Sequence, residues 1–188
     1  MATDTYHHGN LREALLRTAV AAIAESGAGA LSLRELARRA GVSHAAPAHH
    51  FRDKAGLLTA VAAEGYELLA ESLRRAAERT GSFVEVGVAY VRFAIERRGH
   101  FEVMFRPDQL HADDPGLTQA RAQARDVLRR GLADLVGSRA GDDPDAAALA
   151  AWALVHGFAD LWLSGSLPEA LGDDPEPAAR SVARVLFQ

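Results

Sequence analysis

Apolar residues recur along this chain every three to four positions, and no stretch sustains the alternation of a half-buried strand, so the whole sequence reads as helix. Leu11, Leu15, Ala19, Ala22 and Ile23 form a first stripe, opened by Asn10 with Glu13 and closed near Gly27. Leu33, Leu36, Ala37 and Ala40 form a second, shorter one. Ser32 followed by Glu35 is a capping box that starts this helix at Leu33, and Gly41 ends it. Arg34 and Arg38 lie on its wet face, and Glu35 to Arg39 is a favourable i,i+4 pair. A third helix is predicted over His44 to His50, with Ser43 as its cap, Val42 plugging a small core and Phe51 closing the hydrophobic centre. Pro47 falls near its fourth position, where one backbone bond is lost and the helix survives under slight strain; the alternative is a loop broken at Pro47.

Beyond this point Asp53 caps a long helix from Lys54 to about Thr80, with Leu58, Val61, Leu68, Leu69 and Leu73 apolar and Glu71 paired to Arg75 outside. Gly81 and Ser82 open a helix from Phe83 to about Arg97, and a short aromatic segment, FEVMF, follows Gly99. Asp-Asp-Pro occurs at 113–115, 142–144 and 173–175. Proline disfavours helical backbone at the preceding Asp and is at ease just inside a helix, so these mark starts for helices at about 116–139, 144–165 and 175–187. The expected fold is all-α, with about nine helices and no sheet.

The helix after Asp143 is apolar almost all round, with Leu149, Trp152, Val155, Ala159, Trp162 and Leu163 interrupted mainly by His156 and Asp160. Such a helix needs cover on every side. One face is expected on the body and another on a second subunit, with Ala150, Ala151, Ala153 and Gly157 allowing close approach and the last helix, striped by Val182, Val185 and Leu186, joining it. The alternative is that both helices fill one monomer's core.

Composition narrows the function classes. At 188 residues and 48% apolar content the chain can bury a substantial core. With no cysteine it has neither disulfides nor thiolate zinc sites, and no signal peptide is recognised, so a cytoplasmic location is expected. The longest apolar run, Ala146 to Val155, is too short to span a bilayer, and no membrane segment is expected. The net charge of −4 is unevenly spread: residues 1–56 hold seven Arg and Lys against five Asp and Glu, the remainder 14 against 20. Five of the eight histidines, His7, His8, His44, His49 and His50, also lie in the first segment. The local sign therefore permits a polyanionic partner there.

Two short helices joined by a tight turn have the shape of a DNA reader. The run LSLRELARRAGVSHAAPAHHFRDK from Leu31 to Lys54, with the GAGALSLRELA turn and Gly56 to Leu58, resembles the headpiece of the TetR/AcrR family of bacterial transcriptional regulators. The resemblance begins near His8 and covers roughly the first third of the chain. It implies a helix-turn-helix DNA-binding domain over 8–54, and a C-terminal ligand-binding and dimerisation domain over 55–188. It further implies base-edge contacts from Arg34, His44, Ala45 and Ala46, and phosphate contacts from Ser32, Ser43, His49, His50 and Lys54. Arg34 is the candidate for gripping guanine, the alternative being a solvated arginine; Ala45 and Ala46 offer methyl contacts, most naturally to thymine. Lys54 is the only lysine beside twenty arginines. Where many relatives carry a phosphate-reaching tyrosine, this chain has Ala48.

In the distal half Trp152, His156 and Gly157 resemble a TetR subgroup with a W-x-x-x-H-G helix. By analogy this implies a cavity for an apolar small-molecule effector of unknown identity, with His156 as polar anchor and Tyr90, Phe93, Phe101, Met104, Phe105, Trp152 and Trp162 around it. The alternatives are that the aromatic stripe is plain core and His156 a satisfied core histidine. The implied protein is a homodimeric regulator, most naturally a repressor, bound to a near-palindromic double-stranded operator and released by its effector. A constitutive DNA binder whose distal domain only dimerises is the first alternative. An all-helical enzyme or carrier using His156 and Asp160 is the second, but no nucleophile, oxyanion motif or phosphate loop completes it. No cofactor is expected, and no metal: His49 and His50 are adjacent and point in different directions, with no carboxylate at ligand spacing.

Overall fold

A computed structural model describes residues 4–136 and 143–185. Among these there are nine α-helices and no strand. They are α1 (Asp4–Ala30), α2 (Leu33–Ala40), α3 (Ala46–Phe51), α4 (Lys54–Thr80), α5 (Phe83–Glu96), α6 (Arg98–Met104), α7 (Pro115–Val136), α8 (Pro144–Leu163) and α9 (Pro175–Arg184). The three Asp-Asp-Pro signals work as expected. Asp114, Asp143 and Asp174 each accept backbone N–H groups at the start of α7, α8 and α9, with the proline just inside.

Three boundaries differ from the expected ones. Helix α1 begins at Asp4, so Asn10 lies within it rather than capping it. Helix α6 begins at Arg98 and takes in Gly99, because its backbone lies on another helix there and needs a residue without a side chain. Helix α3 begins later than expected, for a reason given below. The expected ends of the helices at 137–139 and 186–187 lie outside the described residues.

The chain divides into two compact units, Met1–Tyr66 with Arg98–Ala120, and Glu67–Arg97 with Arg121–Gln188; α4 and α7 contribute to both. In the first unit Leu15, Leu16, Ala19 and Ile23 of α1 are buried, as are Leu36 and Ala37 of α2, Phe51 of α3, Leu57, Leu58 and Val61 of α4, and Val103 and Met104 of α6. A Cβ at Gly99 would stand 2.4 Å from the Val20 carbonyl oxygen, so α6 lies directly on the backbone of α1. Gly65 does the same for α4, where a Cβ would come within 2.7 Å of Met104 Sδ.

The second unit is built on α5, whose Phe83, Val86, Val88, Tyr90, Val91 and Phe93 are all buried. Helices α8 and α9 cover it with Ala151, Val155, Phe158 and Ala159, and with Ala179 and Ala183. Gly87 sits where the three meet: a Cβ there would be 3.2 Å from Val155 and 3.4 Å from Ala183. Ion pairs fasten α9 to α5. Arg180 donates to both carboxylate oxygens of Glu85 at 2.6 and 3.0 Å, and Arg92 pairs with Glu176.

The Arg180 guanidinium holds the Glu85 carboxyl below the usual range. A carboxyl whose folded pKa is depressed adds stability above its unfolded pKa, and that stability is lost as pH falls through the folded value. Glu85→Gln should therefore destabilise the protein by at most about 1 kcal/mol near neutrality. The difference should start to shrink as pH drops below the ordinary carboxyl value of 4.5 and vanish below the depressed folded value, which denaturant titrations across that range will show.

Candidate functional site

Helix α2 starts as its capping box dictates. Ser32 is extended (φ −125, ψ 157) and its Oγ accepts the Glu35 N–H at 3.1 Å. The return half of the box does not form, because the Glu35 carboxylate is taken by Arg38 at 2.7 and 2.8 Å and by Arg39 at 2.9 Å. Those guanidiniums push its pKa down to about 2. Arg39 also reaches Glu25 at 2.6 Å. Two of the three arginines on α2 are thus neutralised locally. Arg34 is exposed and, among the described residues, makes no hydrogen bond or ion pair, which leaves its charge for an external partner.

The turn that follows is set by Gly41 at φ 68, with Val42 N–H returning to the Ala37 carbonyl at 3.1 Å. Helix α3 then begins at Ala46 instead of His44, with Ala45 as N-cap and no side-chain cap bond; Ser43 contributes its carbonyl, which accepts from Ala46 N–H at 3.1 Å. The later start puts Pro47 at the second helical position, where no bond needs its missing N–H, so the strain expected of a fourth-position proline does not arise. His44 and Ala45 consequently belong to the turn before α3. Ser43, His44, Ala45, Ala48 and His49 are exposed, Ala46 and His50 half-buried, and Pro47 buried. The His49 and His50 rings meet edge to face at 5.4 Å. Arg12 of α1, which no local pattern singles out, lies over the Phe51 ring at 5.4 Å and covers the end of α3.

A tight corner joins α3 to α4. Arg52 is held at φ 69 and ψ −58, with Asp53 N–H bonded to the Phe51 carbonyl at 2.8 Å, a γ-turn strained for any residue with a side chain. It places Asp53 as expected: its Oδ1 accepts Gly56 N–H at 2.7 Å and faces His111 Nε2 at 3.0 Å. The Gly56 N–H, and after it His111, hold the Asp53 carboxyl below its ordinary value. Gly56 has to be glycine, since a Cβ would fall 2.1 Å from the Phe51 carbonyl. Lys54 Nζ donates to the Gly29 carbonyl at 3.0 Å. An ammonium has three hydrogens, so this tie leaves two for another acceptor.

In the second unit Tyr90, Trp152 and His156 meet. Trp152 Nε1–H can only donate, and it does so to Tyr90 Oη at 3.2 Å; the same oxygen lies 2.9 Å from His156 Nδ1. Burial lowers the His156 pKa, with Asp160 opposing, which favours the neutral imidazole. Tyr90 also lines a narrow apolar cleft with Phe83, Gly87, Leu128, Ala151, Leu154, Val155 and Ala183. Phe93 is buried in α5, and Trp162 packs beside Phe158 at 5.9 Å. Phe101, Met104 and Phe105 belong to the first unit: Phe101 and Phe105 meet at 5.2 Å, Phe105 meets Tyr66 at 5.8 Å, and Met104 is fully buried.

Sequence reasoning missed Tyr66, whose hydroxyl donates to the Met104 carbonyl at 2.8 Å, as well as Glu102 and His111. Each acts on a partner tens of residues away, and no spacing rule reports that.

Comparison with known proteins agrees with this geometry. Residues 15–61 match the family model described as bacterial regulatory proteins, tetR family, and residues 83–186 match the Tetracyclin repressor-like C-terminal domain. A solved structure from Rhodococcus sp. RHA1, described as a protein with unknown function, is 34% identical with a TM-score of 0.81, covering 98% of this chain and 97% of that one. Two more distant structures share the fold. The TetR family regulator PfmR from Thermus thermophilus is 22% identical (TM-score 0.71, covering 92% and 96%). NalD, described as the secondary repressor of the MexAB-OprM multidrug efflux pump in Pseudomonas aeruginosa, is 21% identical (TM-score 0.65, covering 95% of each chain). No curated protein matches. Carrying the family's reading headpiece and its C-terminal domain in one all-helical chain, this protein belongs to the TetR family of DNA-binding transcriptional regulators, which are not enzymes.

Proposed function

We propose that this regulator is a cytoplasmic homodimeric repressor that reads a near-palindromic operator and leaves it when a small apolar effector binds the second unit. The observation that carries the dimer is the uncovered face of α8. Ala146, Leu149, Ala150, Ala153 and Leu161 are exposed at helical spacing, Leu149 by 60% and Leu161 by 46%, and Val185 beyond α9 by 72%. By length and composition α8 could cross a membrane, and only 22% of its apolar window is buried within the chain. Its opposite face is packed through Val155, Phe158 and Ala159, and Gly157 has open space where a Cβ would be. A second copy laying its own α8 and α9 on this stripe removes the apolar surface from water at the close approach that small residues permit.

Such a dimer presents two copies of α3 to successive major grooves, about 34 Å apart. Within each half-site Arg34 is the base reader, and Ser43, His44, Ala45, Ala48 and His49 form the exposed surface around it. Ser32, His50 and the spare hydrogens of Lys54 serve the phosphates, and Ala46 offers a methyl to a base edge. The Tyr90–Trp152–His156 group is the polar part of the effector site, with the narrow cleft beside Tyr90 as its apolar part. A constitutive binder remains the second reading, favoured by the way these three side chains satisfy one another.

Selection of bound fragments from genomic DNA should return sites with two-fold symmetry; recovery of no preferred sequence would end the proposal. On a recovered site Arg34→Ala should lose about 1–3 kcal/mol of discrimination at one base pair per half-site. Lys54→Ala should instead weaken binding to all sequences and lower the salt slope by about one. Light scattering should report a dimer, and Leu149→Arg should shift it toward monomer; an unaltered mass would place the interface elsewhere. In a thermal-shift screen of apolar compounds, a hit that releases DNA should lose its effect in His156→Ala while operator binding persists. If no compound releases DNA, the constitutive reading stands.

A further inference from the structure

Helix α1 is interrupted at Gly27, whose φ of 80 and ψ of 155 carry the next N–H out of the helical ladder. That N–H belongs to Ala28, which is 3% exposed and so cannot turn to water. Its acceptor comes from 74 residues away: Glu102 Oε1 of α6, at 2.7 Å. The carboxylate sits so close that a Cβ on Gly27 would be 3.3 Å from it. The following turn is held by a second charged side chain of opposite sign, Lys54 Nζ on the Gly29 carbonyl at 3.0 Å. Acid from α6 and base from α4 thus satisfy neighbouring backbone groups of the corner that leads into α2, where Arg34 stands.

The position of α6 is itself tightly fixed. Gly99 rests on the Val20 carbonyl of α1, and His100, 4% exposed, bonds through Nε2 to Glu64 Oε2 of α4 at 2.9 Å. Tyr66 reaches the Met104 carbonyl, and past the helix His111 N–H donates to the buried Thr59 Oγ1 at 2.9 Å. A slide of α6 along α1 would take Glu102 from Ala28 and leave a buried N–H without a partner.

We infer that Glu102 is a positioning residue for DNA reading: its carboxylate on the Ala28 N–H sets the corner between α1 and α2, so the reading pair α2–α3 takes its attitude from α6. This rests on the DNA-reading role of the headpiece. Base contacts tolerate little displacement, whereas phosphate contacts are geometrically forgiving, so loss of the tie acts on specific binding before non-specific binding. The working residue is an acceptor, and an amide oxygen can replace it.

The test compares Glu102→Ala and Glu102→Gln on a site recovered by genomic selection and on unrelated duplex of equal length, at a temperature where circular dichroism shows each variant folded. Glu102→Ala should lose about tenfold in the ratio of specific to non-specific affinity, the scale of one displaced base contact per half-site, and Glu102→Gln should restore most of it. A residue that merely adds stability would lower the melting temperature and leave the ratio alone. An unchanged ratio in the alanine variant overturns the inference, as does a glutamine variant no better than alanine. Should the alanine variant not fold, amide exchange in the folded wild type and Glu102→Gln decides: an Ala28 N–H protected in both supports the tie, and an unprotected Ala28 in the wild type rejects it. A wild type that selects no site would remove the DNA-reading role too, whereas selection with an unmoved ratio removes only the part given to Glu102.

Discussion

The reading headpiece depends on the bare contact of α6 with α1 at Gly99. Two helices approach so closely only where one offers no side chain, and here the space a methyl would take is already filled by the Val20 carbonyl. With α6 seated there, Glu102 reaches the broken end of α1, His100 reaches Glu64, and the chain beyond α6 meets Thr59 and Asp53 at the start of α4. The headpiece is therefore more than its first three helices. Its compact unit takes in residues 98–120, which lie far from it in sequence, and the corners on both sides of the α2–α3 pair are tied to that distant segment.

Charge is distributed on the same economy. Helix α2 carries three arginines, and Glu35 with Glu25 engages two of them on the protein's own surface. What remains available is Arg34 on α2, the exposed His44 and His49 at α3, and the spare hydrogens of Lys54. A net acidic chain can serve a polyanionic partner in this way, because the acidic excess lies beyond residue 56 and the field that matters is local. The strained γ-turn at Arg52 and the obligatory glycine at 56 are the cost of bringing α3 and the capped start of α4 into so short a corner.

The second unit is assembled on a different principle. Helix α5 is buried nearly throughout, α8 and α9 lie across it at Gly87, and the Arg180–Glu85 and Arg92–Glu176 pairs fasten α9 in place. Most of the apolar surface of α8 stays outside that core. A helix so apolar and so little covered leaves large apolar side chains, Leu149 and Leu161 among them, facing water.

Local chemistry was legible in the residues themselves. Ser32, Asp53, Ser82 and the three Asp-Asp-Pro turns start helices because a side-chain oxygen next to a free N–H acts at short range, whatever the rest of the chain does. Gly41 ends α2 for an equally local reason, a left-handed φ. The all-helical class and the reading motif follow from such signals together with apolar spacing. The start of α3 is not legible locally: Ser43 offers a cap, but the proline downstream fits better when the helix begins at Ala46. Aromatic residues at helical spacing look alike in a sequence; in the fold Tyr90, Trp152 and His156 share hydrogen bonds, Phe101 packs on Phe105, and Met104 is buried. The sequence alone determined where helices begin and which faces are apolar, since both depend on neighbours within a turn or two. Only the tertiary structure decided that Glu102 would satisfy Ala28, that Lys54 would hold Gly29 and that Tyr90 would join His156, because such partners are chosen by which backbones can touch, and that is settled only once the helices have packed.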